Sequence, residues 1–286
     1  MTLKRFAHAC VTAVLWAGLT PVHAAAVLDD ATAIPHIDSG GQEGYRDFLM
    51  FDHHRAFAIA PGGFWAWKGG EPSAEIAGRN ALEACRKESG YACVLYAVDD
   101  KVVFDQKNWT QLWGPYLTET EAAKAKTGVN RGDRFYNLSF RDLTGKPVTI
   151  PDLRGKVVML HFWGSWCSPC RSEMPELQKL YKLLGKRKDV ALVLLQMREE
   201  IAPARQWMQQ QKIALPMYDS GVSSKAKDTL KLAGGQTLRD RDVAAVFPTT
   251  YILDKRGVVV FSSTGPLSRW PQYLPLLQDV AQRSGK

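Results

Sequence analysis

Residues 157–163, Val-Val-Met-Leu-His-Phe-Trp, form an apolar run broken only by His161. A short unalternating run predicts a strand buried on both faces. After it, Met174, Leu177, Leu180, Tyr181 and Leu184 recur at helical spacing, and a second apolar run at 190–196 predicts another strand. A helix around 203–212 follows. Residues 250–253 and 257–262 read as strands joined by Asp254-Lys255-Arg256, and 270–283 as a closing helix despite Pro271 and Pro275. Ahead of this series, 136–140 and 148–150 predict a small hairpin around Thr144-Gly145. The order strand, helix, strand, helix, hairpin, helix implies an α/β fold, a mixed sheet with helices on both faces.

The first half has a different texture. Residues 25–44 are rich in Asp, Gly, Ser and Pro, show no period, and predict a flexible arm. Residues 55–67 are strand-like around the turn signal Pro61-Gly62-Gly63. Ser73 is placed to cap a helix that ends at Gly90. Residues 91–98 alternate, with Tyr91, Cys93, Leu95 and Ala97 on one face, and Asp99-Asp100 turns the chain into 101–104. These elements predict a small α+β domain over 45–106. A connector over 107–132 follows, with one short helix near 119–126, and the larger domain occupies 133–286.

The extreme N-terminus changes the chemistry expected of the rest. Lys4 and Arg5, an apolar stretch at 11–19, and the small-residue pattern Val22-His23-Ala24 read as a secretory signal over 1–24, too short and too broken by Gly18 and Pro21 to anchor in a bilayer. Export to the periplasm or beyond is the expectation. Of the 5 cysteines, Cys10 would leave with the leader, so Cys85, Cys93, Cys167 and Cys170 remain in an oxidising compartment. The 45% apolar and 23% charged composition is that of a globular protein. The formal charge of +8 falls by two with the leader and is not gathered into a dense Lys/Arg stripe, so no nucleic-acid partner is expected.

Trp166-Cys167-Ser168-Pro169-Cys170, at the joint between the buried strand and the following helix, is the sharpest chemical signal. Two thiols at this spacing close a small disulfide ring, and a helix start places the first sulfur at the positive end of the helix dipole. Half of a zinc site would need further ligands, and no Cys or His follows Cys170. Cys85, near the end of a helix, and Cys93, at the start of the next strand, come within disulfide reach if the chain reverses at Gly90. They are expected to pair as a structural staple.

Several ordered motifs in the second half resemble the TlpA/ResA-like branch of the thioredoxin superfamily, the secreted bacterial thiol-disulfide oxidoreductases. They are Leu153-Arg154-Gly155-Lys156-Val157-Val158, residues 162–170 around the cysteines, Glu173-Met174-Pro175-Glu176-Leu177, and Phe247-Pro248-Thr249-Thr250-Tyr251-Ile252-Leu253-Asp254 followed by Gly257. The resemblance implies that Cys167 attacks a substrate disulfide and Cys170 resolves the mixed disulfide, with Trp166 beside them. It implies a cis peptide at Pro248, with Phe247 and Thr249 lining the substrate side. His161 departs from the buried acid that many thioredoxins keep six residues before the first Cys. It is either a proton relay for Cys170 or a hydrogen-bonded core histidine. The first half lies outside the resemblance, apart from a weak likeness to small Cys-paired secreted domains.

Other signals are weaker. Asp52-His53-His54 would place its histidines on opposite faces of a strand, and Arg131-Gly132-Asp133 reads as a polar loop. A peroxidase would need a Thr upstream of its reactive Cys, and copper delivery a distal His; both are absent. The sequence therefore predicts an exported oxidoreductase that reduces or isomerises protein disulfides, needing no cofactor beyond its own redox-active disulfide. Electrons would come from a membrane thiol carrier. The alternative is a secreted binding or redox-sensing protein whose first domain recognises a partner.

Overall fold

A computed structural model describes residues 28–222 and 228–285. The leader expected over 1–24 lies outside the described residues. Among those described, no helix is long and apolar enough to cross a membrane.

The chain begins with a one-turn 3-10 helix, Ala31–Ala33, then α1, Ser39–Met50, whose first turn is capped by Asp38 accepting from Gly41 N at 2.8 Å. Strands β1 (Ala56–Ala60) and β2 (Phe64–Lys68) form a hairpin; α2 spans Ala74–Ser89, with Ser73 at its N-cap and Gly90 at φ 66° closing it. Strands β3 (Val94–Val98) and β4 (Lys101–Val102) complete a sheet of order β2-β1-β3-β4. Strand alternation sorts the two faces of β1. Ala56, Ala58 and Ala60 pack with Ala77, Ala81 and Cys85 of α2, and Phe57 and Ile59 join Tyr45 and Phe48 of α1.

Two expectations for this half are corrected. The arm at 25–44 is ordered structure from residue 28 onward: Ile34 and Ile37 are fully buried and α1 begins at Ser39. Its glycines reflect close packing, since a Cβ at Gly44 would stand 2.3 Å from the Trp65 ring. The connector at 107–132 is likewise packed. It contributes α3 (Gln106–Gln111) and α4 (Glu119–Lys124), the latter started by a Thr118/Glu121 capping box, and it buries Trp109 and Trp113.

Among the described residues the second sheet has nine strands. The hairpin β5 (Leu138–Arg141) and β6 (Pro147–Thr149) leads to β7 (Val157–Trp163), α5 (Ser168–Leu184), β8 (Val190–Gln196), α6 (Ile201–Gln210) and β9 (Met217–Asp219). A second hairpin, β10 (Thr229–Leu232) and β11 (Thr237–Arg239), has no counterpart in the sequence reading. Strands β12 (Thr249–Leu253) and β13 (Val259–Thr264) follow, and the closing segment splits at its prolines into a 3-10 turn, Trp270–Tyr273, and α7, Leu274–Arg283. The order is β11-β10-β5-β9-β8-β7-β12-β13, with β6 on β5. Strand β7 is central, parallel to β8 and antiparallel to β12, and buried along its whole length.

The two sheets share one core: Tyr45, Phe48 and Phe57 belong to the same apolar cluster as Met174, Leu177, Trp270 and Tyr273. Polar ties cross the seam as well. Tyr91 donates from its hydroxyl to Ser262 O at 2.7 Å, with the Arg131 guanidinium over its ring at 4.9 Å, and Tyr116 donates to Asp279 Oδ2 at 2.5 Å.

Candidate active site

The end of β7 delivers the chain through Gly164-Ser165-Trp166 to Cys167, the N-cap of α5. Cys167 and Cys170 are bonded to each other, with Cα atoms 5.2 Å apart. Cys170 N donates to Cys167 Sγ at 3.2 Å, the arrangement that a helix start offers to a sulfur anion once the bond is reduced. Cys167 retains 5% exposure and Cys170 none, so an incoming disulfide reaches only the first sulfur.

Two loops hold this turn in place. Trp166, 48% exposed, donates from Nε1 to Met197 O at 2.9 Å, and Glu199 accepts from both Ser165 N and Ser165 Oγ at 2.5 Å. Across the turn, the Phe247–Pro248 bond is cis. The β12/β7 register, Thr249 opposite Phe162, sets Pro248 beside the end of β7. Phe247 meets Trp166 edge-on at 5.3 Å, while Thr249 is buried and its hydroxyl donates to Val246 O at 2.6 Å. Arg198 lies over the Phe247 ring at 5.1 Å and pairs through Nε with buried Asp240 at 2.5 Å; that bond holds its guanidinium above the ordinary arginine range.

His161, on β7, is fully buried. Its Nδ1 lies 2.9 Å from Thr250 Oγ1 and its Nε2 3.2 Å from Glu173 Oε1. The second contact is at ion-pair distance, without a hydrogen bond at either atom. Glu173, one turn beyond Cys170, is itself buried, and its Oε2 accepts from Leu267 N at 2.9 Å and from Trp270 Nε1 at 3.1 Å. The sequence reading treated Glu173 only as part of a motif. The available signals were its position on the Met174/Leu177 face of the helix and the polar His161 in an otherwise apolar strand, which needs a buried partner.

The remaining candidates stand apart. Cys85 and Cys93 are bonded, Cα to Cα 6.3 Å, in the first sheet's layer. His53 and His54 pair separately with Asp100 and Asp99, each at 3.0 Å, and among the described residues no three His, Cys, Asp or Glu side chains cluster as a metal site.

A mixed sheet with a Cys-x-x-Cys disulfide at the start of the helix after its central strand, opposed by a cis-proline loop, defines a thioredoxin-fold thiol-disulfide oxidoreductase. Residues 131–262 match the AhpC/TSA family model. The chain is 33% identical over 136 residues to a thiol-disulfide oxidoreductase ResA of Bacillus cereus, covering 47% of this chain and 70% of that protein. It is 28% identical over 158 residues to the thioredoxin-like protein YneN of Bacillus subtilis, covering 55% and 83%. The crystal structure of StoA from Bacillus subtilis matches 52% of this chain and 96% of its own length, with a TM-score of 0.36 and 20% identity. The chain belongs to the family of the ResA thiol-disulfide oxidoreductases, and it is a protein-disulfide oxidoreductase.

Proposed function

We propose that this protein is exported and works as a reductase or isomerase of protein disulfides, recharged by a membrane thiol carrier. The observation that supports the reading is the gradient of burial along the start of α5: Cys167 keeps a trace of exposure, Cys170 has none, and one turn further Glu173 is buried 3.2 Å from His161. In the reduced enzyme the Cys167 thiolate attacks one sulfur of a substrate disulfide, forming a mixed disulfide and expelling the other sulfur as a thiolate. Cys170 then loses its proton to the buried Glu173–His161 pair and attacks Cys167 Sγ. This restores the Cys167–Cys170 disulfide and releases the second substrate thiolate, which takes the proton. Two electrons pass to the substrate, and no cofactor enters the cycle. Phe247 and Thr249 flank the cis proline, whose loop offers backbone groups to an extended substrate strand.

Pro169 favours this direction, because a proline before Cys170 removes one N–H that would otherwise stabilise the thiolate and make the disulfide more oxidising. Insulin reduction by the full chain and by Cys167→Ser tests the reading. The parent is expected to reduce insulin and the variant to be inactive. Equal rates would leave a binding or sensing protein instead.

A further inference from the structure

The first half of the chain lies outside the thiol-disulfide unit, yet it reaches the deepest layer of that unit through one short segment. Residues 265–273 carry both donors that hold Glu173 Oε2, Leu267 N and Trp270 Nε1. The same segment is gripped from the other side by the stretch ahead of α1. Arg269 Nη2 donates to Thr32 O at 2.8 Å, His36 N donates to Gln272 Oε1 at 2.6 Å, and the buried His36 ring stacks on Tyr273 at 4.1 Å. His36 is wedged further by the edge of Trp109 at 5.1 Å. Every ring in this chain of contacts is buried, and close-packed interiors transmit displacement rather than absorb it.

We propose that the N-terminal half is a positioning clamp for the dithiol site: it fixes residues 265–273 so that their two donors keep the Glu173 carboxylate aimed at His161. The inference rests on the reading of Glu173 as proton acceptor given above. Hydrogen bonds to a carboxylate fix both its orientation and its hold on a proton, so a segment held in register keeps the acceptor in place for the Cys170 proton, and a slack one does not. Glu173 faces His161 from β7 and Tyr273 from the 3-10 turn, with Cys170 one turn earlier on its own helix. Tyr273 in turn feels Tyr91 and Asp38 of the N-terminal half, and burial keeps its phenol protonated. Trp270 acts through Glu173 and is a positioning residue; Arg269 and Gln272 act one step further out.

The test is the rate of insulin reduction by the full chain between about pH 5 and 8, with thermal melting to follow the fold. Trp270→Phe keeps the ring and loses the donor. It is expected to move the acid limb of the profile upward by about one pH unit, a roughly tenfold loss at a fixed acid pH. Gln272→Ala and Arg269→Ala touch neither cysteine nor Glu173 and are expected to shift the limb the same way by about half as much. Arg269→Lys, which keeps the charge but loses the Nη2 bond, replaces Arg269→Ala if that variant melts early. If the Trp270→Phe limb moves while those of Gln272→Ala and the Arg269 variant stay with the parent, the clamp is overturned and only Trp270's own contact stands. An unmoved Trp270→Phe limb overturns it as well. Glu173→Gln separates the two levels: if it leaves the profile unchanged, the acceptor role fails and the clamp with it.

Discussion

The Trp166 ring meets the Phe247 ring edge-on at 5.3 Å, joining the turn that carries Cys167 to the loop that carries the cis proline. The Arg198 guanidinium covers the other ring of this pair, so a half-exposed aromatic ledge borders the more exposed sulfur of the dithiol. An edge-to-face pair of this kind contributes about 0.5 to 1.5 kcal/mol beyond its buried area. Trp166→Ala is expected to lower kcat/KM for insulin by roughly tenfold while lowering the melting temperature by only about 2 to 4 °C, because much of the indole faces solvent. A variant with the parent's kcat/KM would show that substrates do not use the ledge.

His161 gives a sharper test of the buried layer. His161→Asn retains a polar atom for Thr250 but takes the ring away from Glu173. The proton-relay reading expects the pH–rate profile of insulin reduction to move by about one unit. An unchanged profile would reduce His161 to a packing role.

Much of this site was legible in the sequence because its signals are local. A Cys-x-x-Cys after a buried run, a Ser73-to-Gly90 helix and a Gly-containing turn between two apolar stretches each declare themselves within a few residues. What stayed hidden depends on distant partners. Residues 28–38 show isolated apolar side chains among Asp, Thr and Pro, and it takes the Tyr273 and Gln272 contacts, more than two hundred residues away in sequence, together with the edge of Trp109, to explain why His36 is buried. Glu173 looks like an ordinary helix charge until Trp270 and Leu267 are brought to it. The β10–β11 hairpin was missed because its strands are short and half-polar, with Lys231 and Thr237 facing outward.

The staple offers a prediction free of catalysis. The Cys85–Cys93 bond closes a loop of separation 8, and chain-entropy reasoning gives it about 2 to 3 kcal/mol. Cys85→Ala/Cys93→Ala is expected to lose that much in urea unfolding. Insulin reduction at a temperature where the variant remains folded should persist, and its disappearance there would mean that the bond shapes the active site.

His36 predicts an acid sensitivity. Burial lowers its pKa from 6.5 to about 3, so the folded protein keeps it neutral where the unfolded chain protonates it. The unfolded state binds the extra proton below pH 6.5, so stability is fully present above that value and declines as pH falls towards about 3. The total loss is on the order of 5 kcal/mol. His36→Phe keeps an aromatic ring against Tyr273 and removes the titration. Its melting temperature should fall less steeply than the parent's between about pH 6.5 and 4, and parallel slopes would refute the assignment.

Tyr91 sits two residues from Cys93, and its hydroxyl reaches across to Ser262 on β13. The crosslink next to it therefore also steadies a rivet between the two halves of the molecule. Were electrons to leak into that bond, the Tyr91 rivet to β13 would work loose.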